Sequence, residues 1–494
     1  MQQEIDALIG NGTWQLVKIP EGAKVLPCKW VFKTKRYPDG SIERYKARLV
    51  CGGHRQVQDV DYGEVFAPVG RLPSLRALLA TTAQLDWELH SLDISNAFLN
   101  GVLDVPVYMA QPEGFTNGDA TMCCKLERTL YGLKQAPKEW YNVLSTGLKK
   151  VGFRPSSGDR SLWLPKDNRS SSQFIFHWVD DLLIATEDLG TMTSVKADIL
   201  SLFKGRDLGP ATVYLSMVID RDRDRRTLKI SQPSHIKAVL DRSGMDDARS
   251  KVVPMVPGAD CGKARDDEDV LDRSYPYSEL VGALMYISTF TRPDLQATVN
   301  MLARSMSKPT LRHWNLLKGV LRYLRATQSH GVVYGPSDND ELEGWTDSDF
   351  AACKDSRKSR GGFVFKLYGG AISWSSKMQE CVATSTAEAE YIAGAQAARE
   401  GTWLKRLCWD LGNAKREPVP IWADNQAAIH MAVNASDSAR TKHIDIVYHY
   451  FREAVQREFI RVGYVATDDN MADIFTKPLA FGKFDKFRAL MGVE

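Results

Sequence analysis

Two adjacent aspartates, Asp180 and Asp181, constrain the fold more than any other feature because they separate two short apolar segments. The segments, 173–179 and 182–185, have the length and composition of buried strands. Two strands joined so closely form a hairpin with both acids at its tip. Adjacent carboxylates repel each other and lose hydration on partial burial, so the arrangement is unfavourable without a cation. The sequence therefore predicts a rigid hairpin that presents oxygen ligands to a divalent metal.

The dipeptide alone has a second interpretation, a polar turn with both acids in water, because aspartate is common in turns. A third acid favours the metal site, since Asp93 lies at the end of another short predicted strand. Three carboxylates at strand ends can bridge two metal ions whose open positions accept substrate phosphates. The arrangement therefore suits phosphoryl transfer.

The chain of 494 residues is too long for one hydrophobic core, so several domains are expected. Its hydrophobic fraction of 44% and charged fraction of 25% exclude wholesale disorder. No segment approaches the ~20 apolar residues of a membrane span, and the first residues lack a signal-peptide layout. We therefore expect an intracellular protein without a membrane partner. The eight cysteines lack zinc-binding spacing and are expected to be free thiols, and the net charge of +3 decides nothing about nucleic acid.

The first third of the chain favours strands and turns. Alternating segments at 29–35 and 43–50 flank turn residues at 38–40 and predict a basic β-hairpin. Residues 254–274 lose apolar periodicity, which predicts a solvated connector and a domain boundary. Apolar residues at helical spacing from 277 to 326 then predict a small helical domain.

Beyond residue 336 the pattern changes to strands, then to a long helix at about 387–411 and a strand at 419–423, as expected for a mixed α/β domain. This region holds a second set of acids, each at a predicted strand end or helix start: Asp347, Glu388, Asp424 and Asp473. Acids so placed can converge from distant segments on one metal pair. Taken singly, each is also compatible with a surface acid or a helix cap, and Asp424 is a good N-cap candidate.

Ordered motifs along the chain carry a family resemblance. They are Cys28–Lys33, Tyr45–Val50, Phe66–Val69, Asp93–Gly101, Gln111–Phe115 and Leu130–Pro137. Through them the sequence resembles, over nearly its whole length, the reverse transcriptase and ribonuclease H region of copia-type LTR retrotransposon Pol polyproteins. The resemblance implies an α+β multidomain fold. It places reverse-transcriptase fingers and palm with an antiparallel sheet at 1–250, a linker and helical thumb or connection at 251–335, and a mixed α/β ribonuclease H-like domain at 336–494.

The implied activity is RNA-directed DNA polymerisation by two-metal nucleotidyl transfer, together with degradation of the RNA strand of RNA–DNA hybrids. The implied partners are an RNA template, a DNA primer, the RNA–DNA hybrid and dNTPs. The implied cofactor is Mg²⁺, with Mn²⁺ as an alternative, at two ions per active site. The resemblance also implies a location in cytoplasmic virus-like particles or in the nucleus, and a protease and an integrase encoded in upstream sequence.

The implied metal ligands of the polymerase are Asp93, Asp180 and Asp181. Phe98 matches the aromatic residue that excludes a ribose 2′-hydroxyl, and Gln135 matches a glutamine of the nucleotide pocket. Lys46 and Arg48 on the basic hairpin are expected to hold the triphosphate. The alternatives are a core phenylalanine at position 98 and solvated surface charges on the hairpin.

The implied metal ligands of the ribonuclease H are Asp347, Glu388, Asp424 and Asp473. The neighbouring acids Asp349 and Glu390 are alternatives, and agreement with the family pattern favours Asp347 and Glu388. His443 matches a further family motif and is either a substrate contact or a structural residue at a helix start.

Three residues depart from the family pattern: Gly52 replaces a usual lysine, Trp178 a tyrosine and Phe350 a tryptophan. None of them removes a metal ligand. Trp178 lies beside the aspartate pair, so the efficiency of polymerisation is in question rather than its mechanism. Two further hypotheses are a decayed or domesticated copy that binds nucleic acid without catalysis, and a working nuclease beside an inactive polymerase.

Overall fold

The computed structural model describes residues 1–36, 41–166, 172–272, 274–337, 340–413, 417–434 and 449–494. The turn predicted at 38–40 and the predicted contact residue His443 lie outside these ranges. The described chain forms two compact units. The first consists of Met1–Gly70, Glu88–Ser156 and Arg160–Pro210, and the second of Arg71–Trp87, Ser157–Asp159 and Ala211–Glu494.

Helices and strands occur in both units. The helices are α1 Gln2–Gly10, α2 Leu72–Gln84, α3 Ala136–Lys150, α4 Leu189–Leu202, α5 Pro233–Ser243, α6 Tyr277–Phe290, α7 Gln296–Ala303, α8 Leu311–Ala326, α9 Thr386–Asp410, α10 Gln426–Val433, α11 Tyr450–Gln456 and α12 Phe481–Leu490. The strands are β1 Trp14–Lys18, β2 Val25–Leu26, β3 Cys28–Arg36, β4 Ile42–Cys51, β5 Glu88–Ile94, β6 Val102–Met109, β7 Met122–Arg128, β8 Phe153–Pro155, β9 Leu162–Pro165, β10 Gln173–Trp178, β11 Asp181–Thr186, β12 Gly205–Pro210, β13 Val213–Tyr214, β14 Met217–Asp222, β15 Thr227–Ser231, β16 Gly331–Tyr334, β17 Glu343–Asp349, β18 Arg360–Leu367, β19 Gly370–Met378, β20 Val419–Ala423 and β21 Ile460–Tyr464. Short 3₁₀ helices lie at Gly53–Arg55, Ala97–Asn100, Pro293–Leu295 and Met471–Phe475.

The first unit is built on sheets. β3 and β4 pair antiparallel, with Cys28 opposite Cys51, which confirms the strands of the predicted basic hairpin. A second sheet has the order β1-β7-β6-β2, and the largest has the order β12-β5-β11-β10-β9-β8. Side chains of α3 and α4, such as Leu144 and Ile199, form a core with Ile184 of the largest sheet. β10 and β11 are buried along most of their length, which explains their continuous apolar runs.

The second unit joins a helical part to two sheets. The helices α6, α7 and α8 confirm the helical segment predicted from 277 to 326, and the 3₁₀ helix Pro293–Leu295 lies between α6 and α7. One sheet has the order β13-β14-β15-β16, and the other has the order β19-β18-β17-β20-β21. In the latter, β17, β18 and β19 pair antiparallel, whereas β20 and β21 add in parallel. Helix α9 packs against β17 and β18.

Helix α2 belongs to the second unit although strands of the first unit precede and follow it in the chain. Its residue Arg76 is buried and donates hydrogen bonds to the carbonyl oxygens of Ile372 at 2.7 Å and Thr289 at 2.8 Å. The guanidinium carbon also lies 3.6 Å from the centroid of the Trp374 ring. One side chain therefore ties α2 to both α6 and β19.

The mixture of helices and sheets agrees with the predicted α+β class. The two units do not follow the predicted division at residues 250 and 335, because α2 and residues 211–250 lie with the C-terminal part. Residues 254–274 are not a free linker either. Arg312 of α8 donates to the carbonyl oxygen of Asp260 at 2.7 Å and pairs with Glu268 at 2.8 Å, so this segment is fixed to the helices. None of the described helices is both long and apolar enough to cross a membrane.

Candidate active sites

The first acidic site is defined by Asp93, Asp180 and Asp181 and lies in the first unit. β10 and β11 form the predicted hairpin, in which Trp178 pairs with Asp181 and two residues, Val179 and Asp180, make the turn. Val179 has a φ of 60°, in the left-handed region that β-branched residues rarely adopt. Such strain persists only where surrounding contacts hold it, and it occurs preferentially at functional sites.

Two hydrogen bonds hold this turn. The indole N–H of Trp140 on α3 donates to the carbonyl oxygen of Val179 at 2.6 Å. The backbone N–H of Ile94 on β5 donates to the carbonyl oxygen of Asp180 at 3.1 Å. The turn is therefore held by a helix on one side and by the neighbouring strand on the other.

The third predicted acid lies next to the hairpin, because Asp93 on β5 pairs directly with Asp181 on β11. Burial and the negative charge of Asp93 raise the pKa of Asp180, although nearby Arg48 and Lys46 oppose the shift. Arg206 lies 3.4 Å from the Asp93 carboxylate. The structure thus places the three predicted acids at one end of the neighbouring strands β5 and β11. Burial and repulsion there disfavour the charged form of Asp180.

The basic hairpin faces this site through one aromatic residue. The Arg48 guanidinium lies 4.8 Å from the ring centroid of Tyr131, and the ring of Phe98 meets Tyr131 edge-on at 4.9 Å. Lys46 lies two residues from Arg48 on β4, so the two cations share one face of the strand. Phe98 is partly buried and packs against both hydrophobic cores of the first unit, as the core alternative expects, while its predicted role beside the ribose stays a prediction.

Gln135 is buried, and its amide makes hydrogen bonds within the protein. Its oxygen accepts from the Gln56 side chain at 2.9 Å, and its nitrogen donates to the carbonyl oxygen of Asp61 at 3.3 Å. Gln56 in turn accepts from the backbone N–H of Lys134 at 2.8 Å. Both polar atoms of the Gln135 amide are thus engaged within the protein. In its predicted nucleotide pocket, Gln135 would therefore position residues 56–61 rather than contact the nucleotide directly.

The second acidic site lies in the second unit, where three of the predicted acids converge. Ligand oxygens of Asp347, Asp424 and Asp473 all lie within 4.8 Å of one another, the only such group of potential metal ligands among the described residues. Asp347 lies on the central strand β17, Asp424 directly follows β20, and Asp473 lies in the 3₁₀ helix Met471–Phe475. Asn470 ties that helix to β17 by donating to the carbonyl oxygen of Thr346 at 3.0 Å.

The surroundings of the two candidate glutamates differ, and they favour the alternative Glu390 over Glu388 as a neighbour of the aspartates. The Glu388 carboxylate accepts the backbone N–H of Thr384 at 2.7 Å, and the backbone N–H of Glu388 donates to Ser385, the N-cap of α9, at 3.2 Å. The Glu388 carboxylate is therefore engaged by Thr384, the residue before the N-cap of α9. Glu390 instead accepts the backbone N–H of Ser348 at 3.2 Å, and the charges of Asp347 and Asp424 contribute to raising its pKa.

The N-cap alternative for Asp424 is also wrong. Asn425 is the N-cap of α10, and its side-chain oxygen accepts the backbone N–H of Ala428 at 3.0 Å. The Asp424 carboxylate is thereby left to the acidic cluster.

Two lysines that the sequence analysis did not single out contact this cluster. Lys477 lies 2.8 Å from one carboxylate oxygen of Asp473, and Lys483 lies 2.7 Å from the other. Burial and the charge of Asp473 raise the pKa of Asp347 to about 7. The lysines therefore neutralise only part of the negative charge.

The second acidic site fits a divalent cation. A buried oxygen of Glu390, Oε2, has no hydrogen-bond partner among the described residues. A divalent cation would give this oxygen a partner to coordinate. Its positive charge would also offset the repulsion that raises the pKa of Asp347. At the first acidic site burial and Asp93 likewise raise the pKa of Asp180, but the ligand oxygens of its three acids do not all lie within 4.8 Å of one another.

Several residues that shape the two sites have no recognisable pattern in the sequence. Trp140 and Tyr131 at the first site, like Lys477 and Lys483 at the second, act through contacts between distant segments, which no local pattern reveals. Glu390 is different, because Ser385 followed three residues later by Glu388 is a capping-box pattern. That pattern assigns Glu388 to the helix cap and leaves Glu390 as the ligand candidate.

Comparisons with known proteins identify the family of the chain. A family model described as reverse transcriptase (RNA-dependent DNA polymerase) matches residues 11–257. The Pol polyprotein of transposon TNT 1-94 from Nicotiana tabacum is 41% identical over 499 residues, covering 100% of this chain and 37% of the relative. The Pol polyprotein of transposon RE1 from Arabidopsis thaliana is 37% identical over 495 residues, covering 100% of this chain and 33% of the relative. The chain thus spans about a third of the length of these relatives.

A solved structure shows the same fold. The foamy viral protease-reverse transcriptase in complex with double-stranded DNA superposes with a TM-score of 0.51 at 12% identity, covering 94% of this chain and 69% of that chain. The chain therefore belongs to the reverse transcriptase (RNA-dependent DNA polymerase) family, in the form found in copia-type retrotransposon Pol polyproteins.

Proposed function

We propose that the chain is an RNA-directed DNA polymerase of a retrotransposon whose catalytic centre is the first acidic site. The observation that carries the proposal is the pairing of Asp93 with Asp181 on adjacent strands, beside Asp180 at the hairpin tip. The family match includes all three acids. In this assignment the sheets of the first unit form fingers and palm, and α5 to α8 form the thumb or connection.

At this centre the carboxylates would hold two Mg²⁺ or Mn²⁺ ions, which would supply positive charge for the primer 3′-oxygen and the pyrophosphate leaving group. The protein contributes position. The strained turn and β5 fix the carboxylates, while Lys46 and Arg48 orient the triphosphate. Phe98, braced by Tyr131, bounds the sugar and favours deoxynucleotides. Backbone contacts with template and primer should give sequence-independent, salt-sensitive binding.

A second activity, ribonuclease H cleavage of RNA–DNA hybrids, follows for the second acidic site. The convergence of Asp347, Asp424 and Asp473 within 4.8 Å supports it. Glu390 replaces Glu388 as the fourth ligand. Two ions held by these four acids would activate water against the RNA phosphodiester. The mixed sheet with α9 forms the nuclease domain in this assignment.

One pair of assays tests both activities: primer extension on an RNA template with Mg²⁺, and cleavage of a labelled RNA–DNA hybrid. Asp180→Asn should abolish extension and spare cleavage, whereas Asp424→Asn should do the reverse. Loss of both activities in either variant would show that the sites are misassigned. If the wild type extends no primer under varied metal and salt while still binding nucleic acid, the chain is a decayed copy and the polymerase proposal is lost.

A further inference from the structure

A cavity of about 390 Å³ adjoins the second acidic site on the side of Asp349 and Lys477. Its wall is formed by the segment 257–262, by α7 and by the loop between β17 and β18, all within the second unit. The basic residues that line it are Arg304, Lys354, Arg360 and Lys477. The acidic residues that line it are Asp260, Asp349 and Asp355.

Arg360 is the unusual member of this wall. Only 3% of the residue is exposed, yet its Nε has no hydrogen-bond partner among the described residues. Its guanidinium nitrogens lie more than 4.0 Å from every carboxylate oxygen of the described residues, so it forms no ion pair with them. A buried guanidinium normally pairs with an anion or donates to several acceptors, because its desolvation is otherwise uncompensated. If Arg360 were only structural, its buried and unpaired charge would destabilise the fold. The cavity gives an anion access to this guanidinium.

The other charges of the wall are largely committed. Asp260 pairs with Arg265 at 2.5 Å and with Arg312 at 3.2 Å, so its charge is already met from outside the cavity. Asp355 accepts the backbone N–H of Lys263 at 3.1 Å and lies 3.7 Å from Arg304. Asp349 lies directly opposite Arg360 on the paired strand and offsets part of its charge. With Lys354 included, the charge left over at the wall is still positive. Arg360 and Lys354 both favour an anion in the cavity.

The position of the cavity identifies the anion. Lys477 joins the cavity to the second acidic site, because it lines the former and lies 2.8 Å from Asp473 in the latter. Asp349 is two residues from Asp347 on the same strand and so shares its face of the sheet. An anion held by Arg360 therefore lies next to the site where, under the proposed function, a phosphodiester is cut.

We propose that Arg360 and Lys354 form a phosphate subsite that holds a backbone phosphate of the nucleic-acid strand next to the one cleaved at the second acidic site. Guanidinium groups suit this task because they bind phosphate oxygens with directed hydrogen bonds. The inference rests on the proposed nuclease function for its ligand. The existence of an anion site does not depend on cleavage.

The test compares the full-length wild type with Arg360→Met, which keeps the side-chain length without the charge. We expect Arg360→Met to melt at the same or a higher temperature, because a buried unpaired charge is removed. It should bind an RNA–DNA hybrid in EDTA about tenfold more weakly. The slope of log affinity against log salt should fall by about one. Inorganic phosphate should raise the melting temperature of the wild type more than that of the variant.

Arg225→Met is the matched control, because Arg225 is 83% exposed on the β14–β15 turn and the chemical change is identical. Lys354→Met, at an exposed cavity position, decides the question if Arg360→Met does not fold, and it should weaken hybrid binding about threefold. A lower melting temperature of Arg360→Met with wild-type binding would make the arginine structural and overturn the proposal. Phosphate protection without any change in hybrid binding would show a site for free phosphate instead, and would also overturn it.

The outcome is separable from that of the proposed function. A wild type that binds the hybrid through Arg360 but cleaves nothing would refute the nuclease and keep the subsite. Cleavage with unaltered binding in both cavity variants would refute the subsite and keep the nuclease.

Discussion

Glu390 on α9 accepts a hydrogen bond from the backbone N–H of Ser348 on β17 at 3.2 Å. Because Ser348 directly follows Asp347, this bond brings the glutamate to the aspartate cluster and leaves its second oxygen buried without a partner among the described residues. Glu388, two residues earlier, accepts the backbone N–H of Thr384 instead. One carboxylate is thus available to a metal, and the other is engaged by the backbone.

The two glutamates give a matched pair of variants. Glu390→Gln should lower hybrid cleavage about 100-fold or more, because a metal ligand stabilises the transition-state charge by several kcal/mol. It should also reduce the rise in melting temperature on adding Mg²⁺. Glu388→Gln should keep cleavage near the wild-type rate and change stability little, because the glutamine oxygen can still accept the Thr384 N–H. The reverse pattern would restore Glu388 as the ligand.

Trp140→Phe should slow primer extension about tenfold, because loss of one hydrogen bond frees the strained turn that carries Asp180. Steady-state extension and hybrid cleavage are measured together, and cleavage should not change. Trp163→Phe is the control. Trp163 lies on β9, in the sheet that carries the turn, and its buried indole N–H donates to His177 at 3.1 Å. Its replacement should cost similar stability without slowing extension. Equal loss of extension in both variants would refute the link.

Arg76→Met should destabilise the second unit by about 3 kcal/mol, since it leaves buried carbonyl oxygens on α6 and β19 without their donor. Urea unfolding of the full chain measures the effect. Arg71→Met is matched to it, because Arg71 stacks on Trp403 at 4.2 Å but is exposed, and it should cost under about 1 kcal/mol. Similar values for both variants would mean that Arg76 is not a tie between the elements.

His330 makes stability depend on pH. Burial and the charges of Arg292 and Arg488 lower its pKa to about 4, from an ordinary value of 6.5. A lowered pKa in the folded state means that its stabilising contribution is present above pH 6.5 and is lost as the pH falls towards 4. His330→Asn should flatten the pH dependence of the unfolding free energy in that window by an amount on the order of 1 kcal/mol. An unchanged profile would show that other groups cause the acid sensitivity.

The sequence was sufficient where chemistry is local. The two aspartates between apolar runs predicted the hairpin of β10 and β11, and Asp93 was placed correctly because its strand ends there too. Three of the four acids of the second site were found in the same way. The fourth was left between Glu388 and Glu390, which lie on different faces of α9, and agreement with the family pattern favoured Glu388.

Contacts between distant segments could not be predicted. The support of Val179 by Trp140, the pairing of Asp473 with two lysines, and the unpartnered Arg360 all depend on tertiary packing. The place of α2 had the same cause. Its apolar residues predict burial, but not the element that buries them.

The position of α2 has a consequence for how the chain is made. The ribosome synthesises α2 before its partner strand β19. Ile372 and Trp374 of that strand follow nearly three hundred residues after Arg76. Until then the apolar helix, with Arg76 at its centre, can pack only against β15 and β16 of its native surroundings. Completion of the second unit must therefore await synthesis of the C-terminal sheet, and a chain truncated near residue 250 would leave part of this helix exposed and prone to aggregation.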